Sequence, residues 1–382
     1  MSCQKLDEIL RLASNKNISD TGGAQAQKGI SFQQVWALTR MFDLESTGAN
    51  DFLFLFEIYQ DVAELDSSTL PTNITIYQAK KKDRGLWTWN ELTKLGKPSS
   101  NKKDLSVIES SPIGKLYANV IAFNSIEDFS SSGVFVTNAH CNFPLKSRQN
   151  ASQVTSVNQS CFEDTYHDLL SEALTTLHTG GEKACPSWID IRRVPIDPES
   201  SHTYLQGHVF DFLNKHYPQN ANQAKSLIEA LLVHIAKLSV NTDRSLPPAE
   251  LLTRHGFSRT EFKSRLETME QIPDHEALLV DGLNTLQKEG IVGFIESTKV
   301  KAKLTNISVQ KLQAQMDPDY TNFLADYIKW FFSADRSSDS IQQIVSAAEN
   351  DLASDYSLLT RDIFIAYVLS GTIQCVDQIS AN

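Results

Sequence analysis

Four polar residues near the start of the chain have side chains that could together form a site with three oxygen ligands for a divalent cation and one ammonium group. Glu57 and Asp61 are four residues apart, and Gln78 and Lys80 follow two residues apart. Carboxylate and amide oxygens are the ligands that Mg²⁺ prefers in proteins, and a nearby ammonium group can stabilise negative charge at phosphorus. The four residues therefore predict a site that uses Mg²⁺, or Mn²⁺ in its place, to hydrolyse a phosphodiester.

The strands around these residues decide whether the four side chains can meet. Residues 52–59 form a nearly continuous apolar run, which is typical of a strand buried on both faces. Glu57 interrupts that run, and a buried carboxylate is costly unless it is paired or bound to a cation. If the strand continues to Asp61, both carboxylates project to the same side, because side chains alternate along a strand. Residues 74–79 form the next predicted strand, and pairing of the two strands would add the amide and ammonium groups.

Alternating elements surround the two strands. Helical spacing predicts helices at about residues 31–42 and 114–123, and a third β-prone run covers residues 134–137. Between the first two strands, polar residues 63–73 are expected to turn the chain. The alternation of strands and helices predicts an α/β domain at roughly residues 20–190.

Helical periodicity replaces the strand pattern in the second half of the chain. Apolar stripes at helical spacing occur within residues 224–238, 323–331 and 358–367. Pro247-Pro248 and Asp317-Pro318 are the clearest breaks between helices. We therefore expect this half to be all helical.

The charge of the chain is unevenly distributed. The formal net charge is -11, which argues against a protein that coats nucleic acid through charge alone. However, residues 78–103 contain eight basic and two acidic residues, whereas residues 316–382 contain ten acidic and three basic ones. This distribution is consistent with an enzyme that holds a polyanion at one place and a protein partner at another, and solvated surface charge explains it equally well.

Other functional classes lack their motifs in this sequence. The five cysteines are scattered and form no C-x-x-C pair, so neither a disulfide framework nor a zinc site is expected. There is no Walker motif for nucleotide hydrolysis and no G-x-S-x-G elbow of a serine hydrolase. The first residues have no secretory pattern, and no apolar run is long enough to cross a membrane, so we expect a cytoplasmic protein.

Several short motifs in the first 200 residues resemble those of one nuclease family. They are Gly22-Gly23-Ala24, Lys28-Gly29, the segment 32–38, Phe56-Glu57, Asp61-Val62 and Tyr77-Gln78-Ala79-Lys80. In this order they resemble the nuclease domain of the CBASS effector endonucleases, which belong to the restriction-endonuclease-like, or P-D-(D/E)-x-K, superfamily. The domain also occurs in anti-phage operons beside a HerA-type hexameric ATPase. The resemblance implies an α/β restriction-endonuclease-like nuclease domain at residues 1–205, followed by an all-helical oligomerisation and partner-binding region at residues 206–382.

The resemblance also implies a role for each candidate residue. Asp61 would be the main metal ligand and Lys80 the catalytic lysine. Gln78 stands where many relatives have an acid, which weakens metal binding unless another oxygen compensates. Glu57 is a second candidate ligand, and a buried ion pair with Lys28 or Lys80 is the alternative role for it.

The function implied is a metal-dependent endonuclease that cuts double-stranded DNA in bacterial anti-phage defence. We expect it to form a homo-oligomer and to be activated by assembly with a HerA-type hexameric ATPase. One alternative is activation by a cyclic oligonucleotide, as in the CBASS relatives. Another is a non-catalytic adaptor that serves as a scaffold for an ATPase.

Overall fold

The computed structural model describes residues 2–12, 27–99, 104–123, 126–178, 182–239, 246–271, 276–313, 315–336 and 338–381. The Gly22-Gly23-Ala24 motif and the lysines at positions 102 and 103 lie outside these ranges. Within them the strands are β1 Leu53–Phe56, β2 Val62–Leu65, β3 Asn73–Ala79, β4 Trp87–Thr88, β5 Ser130–Thr137, β6 Cys141–Asn142, β7 Ser156–Asn158, β8 Ile189–Arg193 and β9 Gly256–Ser258. The α-helices are α1 Ser2–Leu12, α2 Gln27–Ser46, α3 Trp89–Thr93, α4 Pro112–Ile121, α5 Asp164–Thr175, α6 Ser201–His216, α7 Ala224–Ser239, α8 Pro248–His255, α9 Arg259–Gln271, α10 Glu276–Lys288, α11 Phe294–Gln313, α12 Pro318–Phe332, α13 Ile341–Leu352 and α14 Arg361–Ala381.

The chain forms two compact units, each made of two segments that are not contiguous in the sequence. The first contains residues 1–208 and 232–263, and the second contains residues 209–231 and 264–382. The division into domains at residue 205 stays a prediction, because compactness does not measure independent folding. None of the described helices is both long and apolar enough to cross a membrane.

A mixed seven-stranded sheet organises the first unit. Its strand order is β7-β8-β5-β3-β2-β1-β9, and β4 pairs with β6 in a separate small sheet. The neighbours β3, β5 and β8 are parallel, whereas β1 pairs antiparallel with both β2 and β9. Because β1 to β3 form an antiparallel meander, the loop between β1 and β2 emerges at the same edge as the carboxyl end of β3.

Helices cover the two faces of this sheet. On one face, α2 places Trp36 against Tyr77, with ring centroids 4.5 Å apart. Arg40 of α2 also forms a two-pronged ion pair with Glu64, at 2.8 and 2.9 Å, and the Tyr77 hydroxyl donates to the same carboxylate at 2.9 Å. On the other face, α4 approaches β5 at Gly133, where an added Cβ would lie 2.8 Å from Leu116 Cγ. The sheet is therefore buried on both sides, as the apolar β1 sequence predicts.

The second unit is helical and has its own apolar core. Buried aromatic side chains of α12 and α14 form its centre, with Tyr320 and Tyr367 rings 5.0 Å apart. The Asp317 side chain accepts the Asp319 amide and so caps α12, which starts at Pro318 as the sequence break predicts.

The α/β fold class followed by a mostly helical region is confirmed, and four local predictions need correction. The strand predicted at residues 52–59 ends at Phe56, and residues 63–65, which were expected to turn the chain, lie in β2. The C-terminal half is not entirely helical, because β9 at Gly256–Ser258 pairs with β1. The third apolar stripe was predicted to begin at Leu358. However, α14 begins at Arg361, and Leu358 is almost fully exposed.

Candidate active site

Asp61 lies at the end of the loop that joins β1 to β2, where its carboxylate is buried and held by the neighbouring strand. Its Oδ2 accepts the Ala79 amide at 2.7 Å, and its Oδ1 is 3.4 Å from Lys80 Nζ. The side chain is only 7% exposed. The structure thus confirms that Asp61 and Lys80 meet, although the strand paired with β3 is β2 and not the longer β1 expected.

The electrostatic environment of Asp61 is a balance of opposing effects. Burial raises the pKa of the Asp61 carboxyl above its ordinary value, because desolvation disfavours the charged form. The Lys80 ammonium, the Ala79 amide and a hydrogen bond from Gln33 lower the pKa again. A cation that binds this carboxylate would favour the same charged form.

Gln78 is buried beside Asp61 and retains an unused oxygen. The register pairs Val62 with Tyr77, so that Asp61 and Gln78 are the next neighbours along the two strands. Gln78 Nε2 donates to Gln60 Oε1 at 3.2 Å, whereas Gln78 Oε1 is buried and has no hydrogen-bond partner among the described residues. A buried acceptor without a partner is costly, so this oxygen is suited to bind a group that the chain itself does not supply.

Lys80 follows β3 and is the basic residue in contact with Asp61. Its backbone amide donates to Val136 O of β5 at 2.8 Å, which fixes the main chain. Its side chain is 38% exposed, so the ammonium contacts a buried carboxylate and solvent at once. This position would let Lys80 contact a phosphate that approaches from solvent.

Glu57 differs from its predicted environment. It lies after β1 in the loop, is half-buried, and has a backbone φ of 55°, in the left-handed region. Glu57 and Asp61 therefore do not lie on one strand with their side chains on the same side. Instead, the Glu57 amide donates to the Asp61 carbonyl at 3.1 Å and closes the loop. The prediction of a buried strand carboxylate was wrong because the chain turns immediately after Phe56.

The residues present fit a hard divalent cation with few protein ligands. Asp61, at the end of the β1–β2 loop, supplies a carboxylate, and Gln78 of β3 supplies a buried oxygen that lacks a hydrogen-bond partner among the described residues. Across the described ranges, no three or more His, Cys, Asp or Glu side chains converge as a metal cluster. Mg²⁺ is commonly held by one or two carboxylates together with water and substrate phosphate, so this donor set is compatible with it.

Comparison with known families identifies the nuclease domain. Residues 21–239 match the family model described as Cap4, dsDNA endonuclease domain. The chain belongs to this family. The match covers more than half of the chain and confirms the predicted resemblance to the CBASS effector nucleases. No curated protein and no solved structure matches the chain.

The match also gives the enzyme class. A Cap4 domain is an endonuclease domain for double-stranded DNA, so the chain is a DNA nuclease. The matched residues include α2, the β1–β2 loop and β3, which place Gln33, Asp61 and Lys80 together. They end before α8 and β9, although β9 completes the sheet of the same unit.

The basic segment after β3 of the Cap4 domain is largely held by its own contacts. Lys81 pairs with Asp83 at 2.6 Å, and Lys82 pairs with Glu91 at 2.7 Å. Lys82 also lies over the Trp87 ring, 4.8 Å from its centroid. Trp87 in turn packs edge-on against the buried Phe135, so these residues shape the loop beside Lys80.

Two glutamines of the Cap4 domain belong to the site, although no residue spacing indicated them. Gln33 on α2 donates to Ala79 O at 3.5 Å and hydrogen-bonds to Asp61. Gln60 in the β1–β2 loop accepts from Gln78. The only available signal for Gln33 was its place within the motif at residues 32–38. Gln60 gave no signal, because its contact depends on how the loop closes.

Proposed function

We propose that this chain is a metal-dependent DNA endonuclease that acts as the effector of an anti-phage defence system. Its catalytic residues would be Asp61, Gln78 and Lys80, with Glu57 as a further candidate for the metal site. The observation that carries the proposal is the Asp61–Lys80 contact of 3.4 Å inside a dsDNA endonuclease domain. Mg²⁺, or Mn²⁺ in its place, is the cofactor that this oxygen-rich site is suited to bind.

Each of the three side chains has a distinct task in this proposal. The Ala79 amide fixes one oxygen of Asp61, which leaves the other oxygen toward Lys80 and a cation. Gln78 is next to Asp61 in the strand register, and its buried Oε1, which has no hydrogen-bond partner in the described part of the chain, would be a second ligand. The bound cation would polarise the phosphodiester and lower the pKa of a water molecule. Lys80 would donate to a phosphate oxygen and stabilise the charge that develops there.

Replacement of Lys80 tests the catalytic assignment. Lys80→Ala should lower the rate of plasmid cleavage in Mg²⁺ by about a hundredfold or more, because the charge-stabilising donor is lost. Lys81→Ala is the matched control, since Lys81 is the next lysine in sequence but pairs with Asp83 at 2.6 Å. Purified protein and its partner would be incubated with supercoiled and linear DNA. Undiminished cleavage by Lys80→Ala would remove this residue from the catalytic set.

For activation, we infer assembly into a homo-oligomer with a HerA-type hexameric ATPase. The acidic balance of residues 316–382 supports a protein partner over a polyanionic ligand. A cavity in the second unit, bordered by Ser226, Leu279, Lys301 and Thr305, has a volume of about 30 Å³. This volume holds a few water molecules at most, so this cavity is too small for a cyclic oligonucleotide.

Two measurements separate the modes of activation. Native mass spectrometry of the chain co-expressed with a HerA-type ATPase should show a joint assembly, and DNA cleavage should depend on it. Calorimetry with cyclic di- and trinucleotides should show no binding. Binding of a cyclic nucleotide that switches on cleavage without the ATPase would replace our inference with the CBASS-type mechanism.

The adaptor alternative is tested in cells. An Asp61→Ala, Lys80→Ala double variant should lose protection against phage if the chain acts as a nuclease. The variant must still form the joint assembly with the ATPase, which controls for misfolding. Full protection by an assembled double variant would make the chain a scaffold.

A further inference from the structure

A histidine outside the matched family residues contacts the backbone of the active-site loop. His255 ends α8, is fully buried, and its Nδ1 lies 2.9 Å from the Phe56 carbonyl oxygen. Because a carbonyl oxygen can only accept, Nδ1 must carry the proton of this hydrogen bond. His255 lies beyond residues 21–239, which are those matched by the Cap4 family model.

The peptide group that accepts the His255 hydrogen bond is also hydrogen-bonded to the backbone of Asp61. The Phe56 carbonyl and the Glu57 amide belong to one planar peptide unit. The carbonyl accepts from His255 at 2.9 Å, and the amide donates to the Asp61 carbonyl at 3.1 Å. Two hydrogen bonds and one rigid plane therefore connect the imidazole to the main chain of the buried carboxylate.

This peptide group is where the chain leaves β1 in an uncommon conformation. Glu57 has φ of 55°, which residues with a Cβ rarely adopt without support from their surroundings. A hydrogen bond on each side of the Phe56–Glu57 peptide fixes its orientation. Further along the same loop, the Tyr59 hydroxyl donates to the Ile9 carbonyl of α1. Elements before and after the matched residues therefore hold the loop in place.

The fold determines the position of His255 with little freedom. Gly256, the next residue, is the first of β9 and pairs with Leu55. Because the two strands are antiparallel, the same register places His255 opposite Phe56. A Cβ at Gly256 would lie 2.5 Å from the Leu252 carbonyl oxygen, so the close α8–β9 junction requires glycine. After β9, Arg259 forms a two-pronged ion pair with Glu45 at 2.8 and 2.9 Å.

We propose that His255 is a positioning residue that orients Asp61 through the Phe56–Glu57 peptide. The proposal rests on the catalytic role of Asp61 given above. The α8–β9 segment is thus part of the nuclease machinery, although it follows the family domain in sequence. Loss of the Nδ1 hydrogen bond lets the peptide rotate and the Asp61 carboxylate shift from its place beside Lys80.

Two substitutions distinguish a hydrogen bond at Nδ1 from general packing. His255→Asn places an amide nitrogen close to the position of Nδ1 and should keep the bond. His255→Gln and His255→Leu lack a donor at that position. His178→Leu is the matched control in the same unit, because His178 is also a buried histidine whose Nε2 forms a hydrogen bond, to the Tyr117 hydroxyl at 2.9 Å.

The first readout is hydrogen exchange, which does not require catalysis. Mass spectrometry should show that the Glu57 amide exchanges roughly two- to tenfold faster in His255→Gln and His255→Leu, because the loop opens more often. His255→Asn and His178→Leu should match the wild-type protein at this amide. Unchanged Glu57 exchange in a folded His255→Gln protein overturns the proposal.

The second readout is the rate of DNA cleavage by the full assembly. We expect kcat to fall about ten- to a hundredfold in His255→Gln, as for other residues that orient metal ligands, with KM for DNA unchanged. His255→Asn should recover most of the rate. Equal kcat values for His255→Gln and wild type contradict the positioning role.

The two readouts separate this inference from the proposed function. If the wild-type assembly does not cleave DNA, the proposed function fails, whereas the exchange experiment still decides whether His255 orders the loop. If His255→Leu does not fold, the comparison of the Asn and Gln variants carries the test. A thermal shift in His255→Gln without effects on exchange or kcat would assign His255 to packing alone and overturn the proposal.

Discussion

At the residue scale, the proposed chemistry of the site depends on Asp61, a carboxylate whose burial disfavours its charged form. Burial raises the pKa of Asp61, and the Ala79 amide and Lys80 only partly offset the loss of water. Such strained polar sites commonly reduce stability in exchange for activity. The site without a cation should therefore be less stable than one with a neutral side chain of the same shape.

Asp61→Asn should stabilise the protein while it abolishes cleavage. An Asn oxygen can still accept the Ala79 amide, and the buried charge is gone. We expect the free energy of unfolding to rise by about 1–2 kcal/mol at pH 7 without divalent ions. Chemical denaturation in EDTA measures the change. Asp83→Asn is the control, since the Asp83 side chain is 66% exposed and its change should have little effect.

The pH dependence of this effect follows from the sign of the pKa shift. The Asp61 pKa is higher in the folded than in the unfolded chain, so folding is favoured when the carboxyl is protonated. This stability is present below the ordinary aspartate pKa and is lost as pH rises through the raised value. The advantage of Asp61→Asn should therefore vanish at low pH. An advantage that grows as pH falls would contradict the assignment.

At the element scale, α2 is attached to the sheet by a partly buried ionic network. Arg40 of α2 holds Glu64 of β2 with two hydrogen bonds, and Tyr77 of β3 donates to the same carboxylate. The Glu64 side chain is 12% exposed, so water competes weakly for it. The network fixes the helix that carries Gln33 over the strand ends beside the proposed catalytic residues.

Glu64→Gln should loosen this attachment. Loss of the charged acceptor removes charge-assisted hydrogen bonds and leaves Arg40 without its counterion, which should lower the free energy of unfolding by about 2 kcal/mol. Denaturant titration measures the loss. Glu91→Gln provides the comparison, because Glu91 pairs with Lys82 at 2.7 Å but is 43% exposed and should cost less than about 1 kcal/mol. Equal losses in both variants would show that burial of the network is unimportant.

At the scale of the whole molecule, each of the two units contains an apolar cluster of its own among the described residues. One core lies between the sheet and its helices in the first unit, and the other lies among the helices of the second unit. Large chains with distinct cores commonly unfold in more than one step. The nuclease unit and the helical unit should therefore have separate transitions.

Calorimetry with a matched pair of glycine variants tests this expectation. At Gly133 a Cβ would lie 2.7 Å from Ile189 Cδ1, and at Gly371 it would lie 2.6 Å from Tyr327 Cδ1. Gly133→Val should lower the transition of the first unit, and Gly371→Val that of the second, because overpacking costs about 1–3 kcal/mol. A single transition that both variants shift equally would show that the units unfold together.

The sequence alone determined the elements with strong local patterns, and it indicated the candidate catalytic residues. The apolar run before Glu57 and the β-prone run before Lys80 form strands, and helical spacing predicted α2 and α4 to within a few residues. The order of short motifs also identified the nuclease family that the family model confirms. The strands and helices depend on neighbours along the chain, so periodicity and residue type suffice to find them.

Only the tertiary structure decided how the site is assembled. It placed Glu57 in a left-handed turn, inserted β2 between β1 and β3, and brought Gln33 and His255 to the loop from distant positions. Short strands such as β2 and β9 carry too little pattern to be recognised locally, because their stability comes from pairing and burial against remote residues. The positions of a single histidine and a single glutamine therefore depend on long-range packing that one sequence does not display.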